Sequence, residues 1–284
     1  MEEFLALLEA ILRYFEVGQK PQAFLVIVGL AFARMVSFVS VVPFFGGAAV
    51  PARVKVATAV AFVVVLYPSV AAELGQDTTP LPFGPIGFMA LLAKETFVGF
   101  TLGFVASLIF EAIQVAGRIG DLQRGATMDE LFAPQLQTRV SELGQFKLQL
   151  AIALFLVVGA HRLFIAALLR SFELIPAAKF PRIEPGWTPA LAYITELTGG
   201  VLAIGVQLAA PVIIALLLTD LFFGIVNRVA PQINVFFLSL PVKMLVGIFI
   251  ISLALVLLKE QFIFYFKESY KAFEQLLRLL GTAM

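Results

Sequence analysis

No cysteine occurs anywhere in the 284-residue chain, which removes disulfides, thiolate metal sites and cysteine nucleophiles at once. Histidine is nearly as scarce, since His161 stands alone, beside Arg162. An HExxH zinc site is therefore impossible, as is any site built from several histidines. A serine–histidine pair would have to use His161, and no GxSxG accompanies it. With no visible orienting partner, His161 reads as a structural helix-end residue. An intramembrane aspartyl protease needs aspartates in two spans, and only Asp220 lies in an apolar run. No GxxxxGK[ST] loop is present for nucleotide hydrolysis. Charge is sparse as well: 14% of residues are charged, and 20 Lys and Arg against 19 Asp and Glu leave a net charge of +1. No broad basic surface exists to bind a phosphate backbone, so nucleic acid is not an expected partner. The start, Met1-Glu2-Glu3-Phe4, lacks the basic region of a secretory signal and is expected to be retained. These absences predict a protein that is not an enzyme and has no cofactor and no metal.

Apolar residues are what the chain has in quantity. They make up 61% of it, and the mean hydropathy is +0.99, so water is not the main solvent. A membrane-spanning helix takes about 20 mostly apolar residues, and such runs lie at 22 to 45, 54 to 72, 86 to 116, 148 to 169, 200 to 226 and 232 to 258. A weaker segment at 189 to 199 is too short to count. The expected fold is an all-α membrane protein forming a single domain over 1 to 284. It has roughly six long hydrophobic helices, some broken by Pro211, Pro231 or Pro241, and amphipathic terminal helices at 2 to 16 and 259 to 284. In the last segment Phe262, Phe266, Phe273 and Leu277 fall near one face, with Lys259, Lys267, Lys271 and Arg278 mostly elsewhere. That pattern suits a surface helix packed on its own protein, with a membrane-surface anchor as the alternative. The run from 86 to 116 is the longest uninterrupted helix expected.

Three connections are long. Residues 73 to 85 and 176 to 189 are rich in Pro and Gly and read as loops. The third, 117 to 147, is polar and Gly-punctuated at first, then helix-compatible from about Gln135. A connection of that length inside a bundle is usually functional. Within it Gly120 and Gly125 permit turns that other residues resist, and Gln123, Thr127 and Met128 can seal against varied neighbours. A solvated connector between helices is the plainer reading of the same residues.

Several charges sit where lipid would penalise them. Arg34, Lys94, Glu95, Glu111, Arg162, Asp220 and Lys243 lie in or at the edge of apolar runs, and a charge at a helix centre in lipid costs at least about 2.5 kcal/mol. Such groups are expected to face a partner subunit, a cavity or a pore. Gly99 and Gly103 form a GxxxG pair, extended by Ser107, through which another backbone can approach. Asp220 and Arg228 share a helix face but stand eight residues, about 12 Å, apart, so each needs some other partner. Pro231 ends one helix there, and Gln232 or Asn234 can satisfy the freed carbonyls. Broken helices with intramembrane charge also mark secondary transporters with a midplane site, which is the alternative functional reading, although no convincing pairing of the two halves is visible.

The stretch from Ala209 to Gly247 closely resembles the signature region of the FliR and SctT family, matching at Pro211, Asp220, Gly224, Asn227, Arg228, Ala230, Pro231, Gln232, Asn234, Phe236, Pro241 and Lys243. A second match lies at Lys94-Glu95-Thr96-Phe97-Val98-Gly99 and in the loop carrying Gly120, Asp121, Gln123, Arg124 and Gly125. Gln123 to Ala126 and Asn234 to Phe236 are more similar to the virulence-type SctT, and Asp121-Leu122 departs from its usual Asp-Asn pair. The resemblance implies a subunit of a type III secretion export gate in the bacterial inner membrane. Its partners there would be P/R-type and Q/S-type gate subunits and the large export gate protein, joined in a cone largely raised out of the bilayer plane. It further implies a pore for unfolded secreted proteins, with the loop from 118 to 136 as a plug.

Overall fold

The computed structural model describes residue 6 and residues 21–45, 47, 50–74, 84–125, 141–180 and 187–282. Those residues form helices and no strand. In chain order they are α1 (Pro21–Val41), a 3-10 turn (Pro43–Phe45), α2 (Ala52–Leu74), α3 (Pro85–Gln123), α4 (Glu142–Val157), α5 (Ala160–Leu174), α6 (Trp187–Val229) and α7 (Val235–Thr282). Phe24–Val41, Ile86–Gln123, Thr188–Val229 and Val235–Ala254 are each long and apolar enough to cross a membrane. Helices α4 and α5, bent by 75° at the break between them, are together apolar and long enough for either a broken span or a re-entrant pair. Among the described residues α2 is helical where expected but is not one of these spans. The N-terminal amphipathic segment lies, but for residue 6, outside the described residues.

Three expectations change. The helix expected over 86 to 116 runs on to Gln123, and it is not the longest, because α6 has 43 residues and α7 has 48. Helix α6 absorbs the weak segment at 189 to 199, and α7 joins the last apolar run to the amphipathic C-terminal segment. At 1.5 Å per residue these two helices measure about 65 and 72 Å, more than twice a hydrocarbon core of about 30 Å. Pro211 and Pro241 sit inside their helices and do not break them. Only Pro231 stops the chain, in the turn between Val229 and Val235, where a residue preceding proline is pushed out of the α region. Asn234 then caps α7, its Oδ1 accepting from Phe237 N at 3.5 Å.

The chain divides into two compact units. The first comprises Met1–Ser107, His161–Ile194 and Tyr270–Met284. Its core is a run of edge-to-face phenylalanines: Phe38 meets Phe45 and Phe273 at 6.4 and 6.3 Å, and Phe164 meets Phe44 and Phe273 at 6.1 and 5.4 Å. Helix α1 lies so close to α3 here that a Cβ on Gly99 would overlap the carbonyl of Arg34, and one on Gly103 would stand 3.1 Å from the carbonyl of Phe38.

The second unit comprises Leu108–Ala160 and Thr195–Ser269. Phe110, Phe155 and Phe266 form its aromatic centre, with ring separations of 5.1 to 5.9 Å. Leu143, Val212, Leu216 and Ile251 form a second buried cluster. Along the C-terminal half of α7, Phe262 and Phe266 of this unit and Phe273 and Leu277 of the first are buried, while Lys259, Lys267, Lys271 and Arg278 are exposed. The amphipathic face of the C-terminal segment is thus covered by protein, as a surface helix requires.

Candidate functional site

The connection between α3 and α4 starts and ends at one place. Helix α3 stays helical through Gly117 and Gly120, against the roughly 1 kcal/mol propensity cost of glycine, because both are packed within the second unit. A Cβ on Gly117 would overlap the backbone of Gly144, and one on Gly120 would stand 3.5 Å from Leu143 and 3.7 Å from Val212. The helix is ended by Gly125, whose φ of 78° and N–H bond to the Leu122 carbonyl at 3.3 Å make a left-handed cap. Residues 118 to 123, expected in a loop, therefore belong to α3, while Thr127, Met128 and the rest of that loop lie outside the described residues.

At this junction buried Asp121 uses both carboxylate oxygens. Its Oδ1 accepts from Arg124 Nε at 2.8 Å, with Arg124 Nη2 at 2.6 Å. Its Oδ2 accepts from Ser141 Oγ at 2.5 Å and from the backbone N–H of Leu143 at 3.0 Å. Ser141 is the N-cap of α4 and accepts in turn from Gly144 N at 2.9 Å. Two of the free N–H groups at the start of α4 are thereby satisfied, one by the cap and one by a carboxylate from α3, where the helix dipole favours negative charge. Closing 20 residues of chain costs about 2.7 kcal/mol beyond a constant, and charge-assisted hydrogen bonds of about 1.5–3 kcal/mol each offset it. Lys147, also buried, has Asp121 as the carboxylate whose charge reaches it. Glu142, one turn away, is 89% exposed at 3.8 Å from Arg124, so its pairing adds little. Helix α7 closes the other side. A Cβ on Gly125 would lie 2.9 Å from Leu240, and one on Gly247 would lie 3.5 Å from Arg124 Cδ.

The signature residues occupy α6, α7 and the turn between them. Asp220 pairs with Lys243 across the two helices. The partner that Asp220 needs thus comes from within the chain rather than from an adjacent subunit, because the turn at Pro231 folds α7 back along α6. Arg228, Pro231, Gln232, Asn234, Phe236 and Pro241 are exposed, and Phe236 meets Phe237 edge to face at 5.6 Å.

In the first unit Lys94 and Glu95 are interior. Arg34 grips Glu95 through Nε at 2.6 Å and Nη2 at 3.0 Å, and donates to Ser171 Oγ at 3.0 Å and the Ile175 carbonyl at 2.7 Å. Its guanidinium lies 4.0 Å from the centre of the Phe172 ring. Lys94 Nζ stands 2.8 Å from Glu95 Oε1 and donates to the carbonyls of Pro176, Ala177 and Lys179 at 2.8 to 3.0 Å. Of the charges that lipid would penalise, Arg34, Lys94, Glu95, Asp220 and Lys243 are paired inside the chain, whereas Glu111 and Arg162 are exposed. Gly99 and Gly103 likewise meet α1 of the same chain, so that stripe is already filled from within. Ser141, Gly144 and Lys147 escaped the sequence reading. The N-cap pattern of Ser141, polar and just ahead of a helix, is the signal that would have found the first of them.

His161 is the second residue of α5, and its Nδ1 is buried without a hydrogen-bond partner among the described residues. Replacing it by Gln should leave the thermal unfolding midpoint of the purified protein close to the parent's, since no hydrogen bond to Nδ1 is lost with the imidazole. A large fall in that midpoint would show that the imidazole is held by contacts that Gln does not replace.

Long apolar helices whose buried charges are neutralised from within define an all-helical integral membrane protein. The family model described as "Bacterial export proteins, family 1" matches residues 25–269, and the chain belongs to that family. It is 30% identical to the flagellar biosynthetic protein FliR of Caulobacter vibrioides over 229 residues, 81% of this chain and 88% of that one. It is 33% identical to FliR of Pectobacterium carotovorum over 253 residues, 89% and 93% of the two chains. To the Yop proteins translocation protein T of Yersinia pestis it is 36% identical over 156 residues, 55% of this chain and 59% of that one. The match thus extends to relatives of both kinds.

Proposed function

We propose that the chain is a subunit of the export gate of a type III secretion apparatus, and that it helps to form and close the pore through which unfolded proteins cross the bacterial inner membrane. Membership of the export family and similarity to flagellar biosynthetic and Yop translocation proteins support the export role. The observation that supports the closing role is the junction of α3 and α4, where Arg124 and Ser141, on either side of residues 126–140, bind a single buried carboxylate. A gate for many unrelated sequences needs a seal on a fixed base and no catalytic group.

The faces of α6 and α7 support a multi-subunit assembly. Leu217, Leu218, Leu221, Phe222, Ile225 and Phe249 are each more than half exposed, and on the same two helices the side chain of Asp220 is 44% exposed. Lipid against that carboxylate would be costly. P/R-type and Q/S-type gate subunits, with the large export gate protein beyond them, are the proposed cover, and helices longer than twice the hydrocarbon thickness suit a gate raised out of the bilayer plane.

Removing four residues within 127 to 136 should leave co-purification with the other gate subunits intact and raise ion leakage across the membrane without any export substrate. The comparison is an equal deletion within 181 to 186, which spares the carbonyls that hold Lys94. Equal tightness in both strains, with assembled gates recovered, would show that 127 to 136 is a connector and that closure lies elsewhere.

A further inference from the structure

We infer that the uncovered face of α3 that carries Glu111 and Arg118 is a docking surface for a helix of a different subunit, one with a Lys or Arg opposite Glu111 and an acidic side chain opposite Arg118. The inference rests on the reading of the chain as one subunit of a larger assembly. Within the second unit α3 is covered on two sides, by α4 where Gly117 meets Gly144 and by α6 where Gly205 meets Ala112 and Val115. Outside those two contacts Glu111, Arg118 and Leu122 are exposed. Spacings of seven and eleven residues from Glu111 keep all three on one face of a helix with 3.6 residues per turn. Glu111 lies within the apolar span Ile86–Gln123, where a charge facing lipid costs about 2.5 kcal/mol or more. Glu95 and Asp220 take cations from this chain, whereas among the described residues no cation pairs with Glu111. Arg118 donates to Gln114 Oε1 at 2.9 Å and has no carboxylate there. Charge decides the occupant. Hydrocarbon offers neither group a partner. A second copy of this chain would insert in the same sense, so its α3 would bring Glu111 against Glu111 and Arg118 against Arg118, and like charges repel. A helix of another chain with a cation and an anion two turns apart neutralises both groups at once. A seven-residue spacing keeps such pairs in register along two helices that cross at about 20°.

The test uses the full chain co-expressed with the P/R-type and Q/S-type gate subunits. Photo-activated p-benzoylphenylalanine in place of Leu122, which is 66% exposed on this face, should cross-link the chain to one of them. The attached helix should carry an acidic residue about one turn from the attachment point and a Lys or Arg about three turns from it, as Arg118 and Glu111 stand to Leu122. Glu111→Lys should lower the cross-link yield at least about fivefold, and Glu111→Asp should keep it within about twofold. Neither change should move the unfolding midpoint of the purified chain, since no ion pair within the chain is lost, so a loss of cross-linking would not be a loss of folding. Changing the partner's cation to Glu should restore the cross-link of Glu111→Lys. Attachment to a second copy, to lipid alone or to a helix without that cation would overturn the docking surface, as would a yield that Glu111→Lys leaves unchanged. The two readings fail differently. A parent chain that recovers no gate subunit discards the assembly and this surface with it, whereas recovery of the subunits without any cross-link from position 122 discards the surface alone.

Discussion

Gly117→Ala should lower the thermal unfolding midpoint of the purified protein, and Gly117→Val should prevent the chain from accumulating in membranes. A Cβ at this position has nowhere to go, because the nearest atoms are the Cα and N of Gly144 and the carbonyl carbon of Leu143, all backbone. Side chains can swing away from an added methyl, but a helix backbone must translate, and the α3–α4 crossing carries Leu143 and the Asp121 junction with it. Overpacking of this sort costs about 1–3 kcal/mol and outweighs the roughly 1 kcal/mol gained when a helical glycine becomes alanine. Gly199→Ala is the matched control, since nothing lies within 4 Å of that position, and its midpoint should hold or rise. Equal midpoints for Gly117→Ala and Gly199→Ala would mean that the two helices do not touch through their glycines.

The glycines also show what a reader of the sequence can and cannot see. Gly99 and Gly103 announce a close approach by their spacing, and the approach exists, but which helix makes it is a tertiary matter, and α1 of the same chain does so. Gly117 and Gly144 lie 27 residues apart on different helices, and no local pattern joins them. The apolar runs placed most of the helices because hydrophobic length is read directly from composition, but the run expected at 148 to 169 is divided at Gly159, whose φ of 79° separates α4 from α5. Their ends were misplaced where packing overrode propensity, as when α3 continued through Gly117 and Gly120, or where a proline was tolerated inside a long helix, as at Pro211 and Pro241. For the charges, burial was legible and the partner was not. Asp220 finds Lys243, and Arg34 finds Glu95, 61 residues away, because chain reversals bring together side chains that no helical spacing relates. The match of Asp121 and Arg124 to the family's loop was visible, whereas its consequence, a carboxylate holding the start of the next helix, depended on Ser141 and on the path of α4.

Glu95→Leu should be among the most damaging single changes in the first unit, and adding Arg34→Met should repair part of the damage. Glu95 is the carboxylate that balances the buried cations Arg34 and Lys94, and Arg34 and Glu95 have no side-chain exposure at all. Removing the anion alone leaves a buried guanidinium with only Ser171 Oγ and the Ile175 carbonyl as acceptors, and breaking a buried pair from one side costs about 3–5 kcal/mol. Lys94 is better protected, since the carbonyls of Pro176, Ala177 and Lys179 still receive its protons. Methionine at position 34 removes the stranded cation and keeps an unbranched side chain against Phe172, which favours contact with sulfur. The double variant should therefore be more stable than Glu95→Leu alone, with a coupling of about 1–3 kcal/mol in the double-mutant cycle. The measurement is the unfolding midpoint of the purified protein, supported by the steady-state level of the chain in membranes. Strict additivity of the two single changes would show that Arg34 and Glu95 do not act as one pair, and that the first unit is held by its phenylalanine core without them.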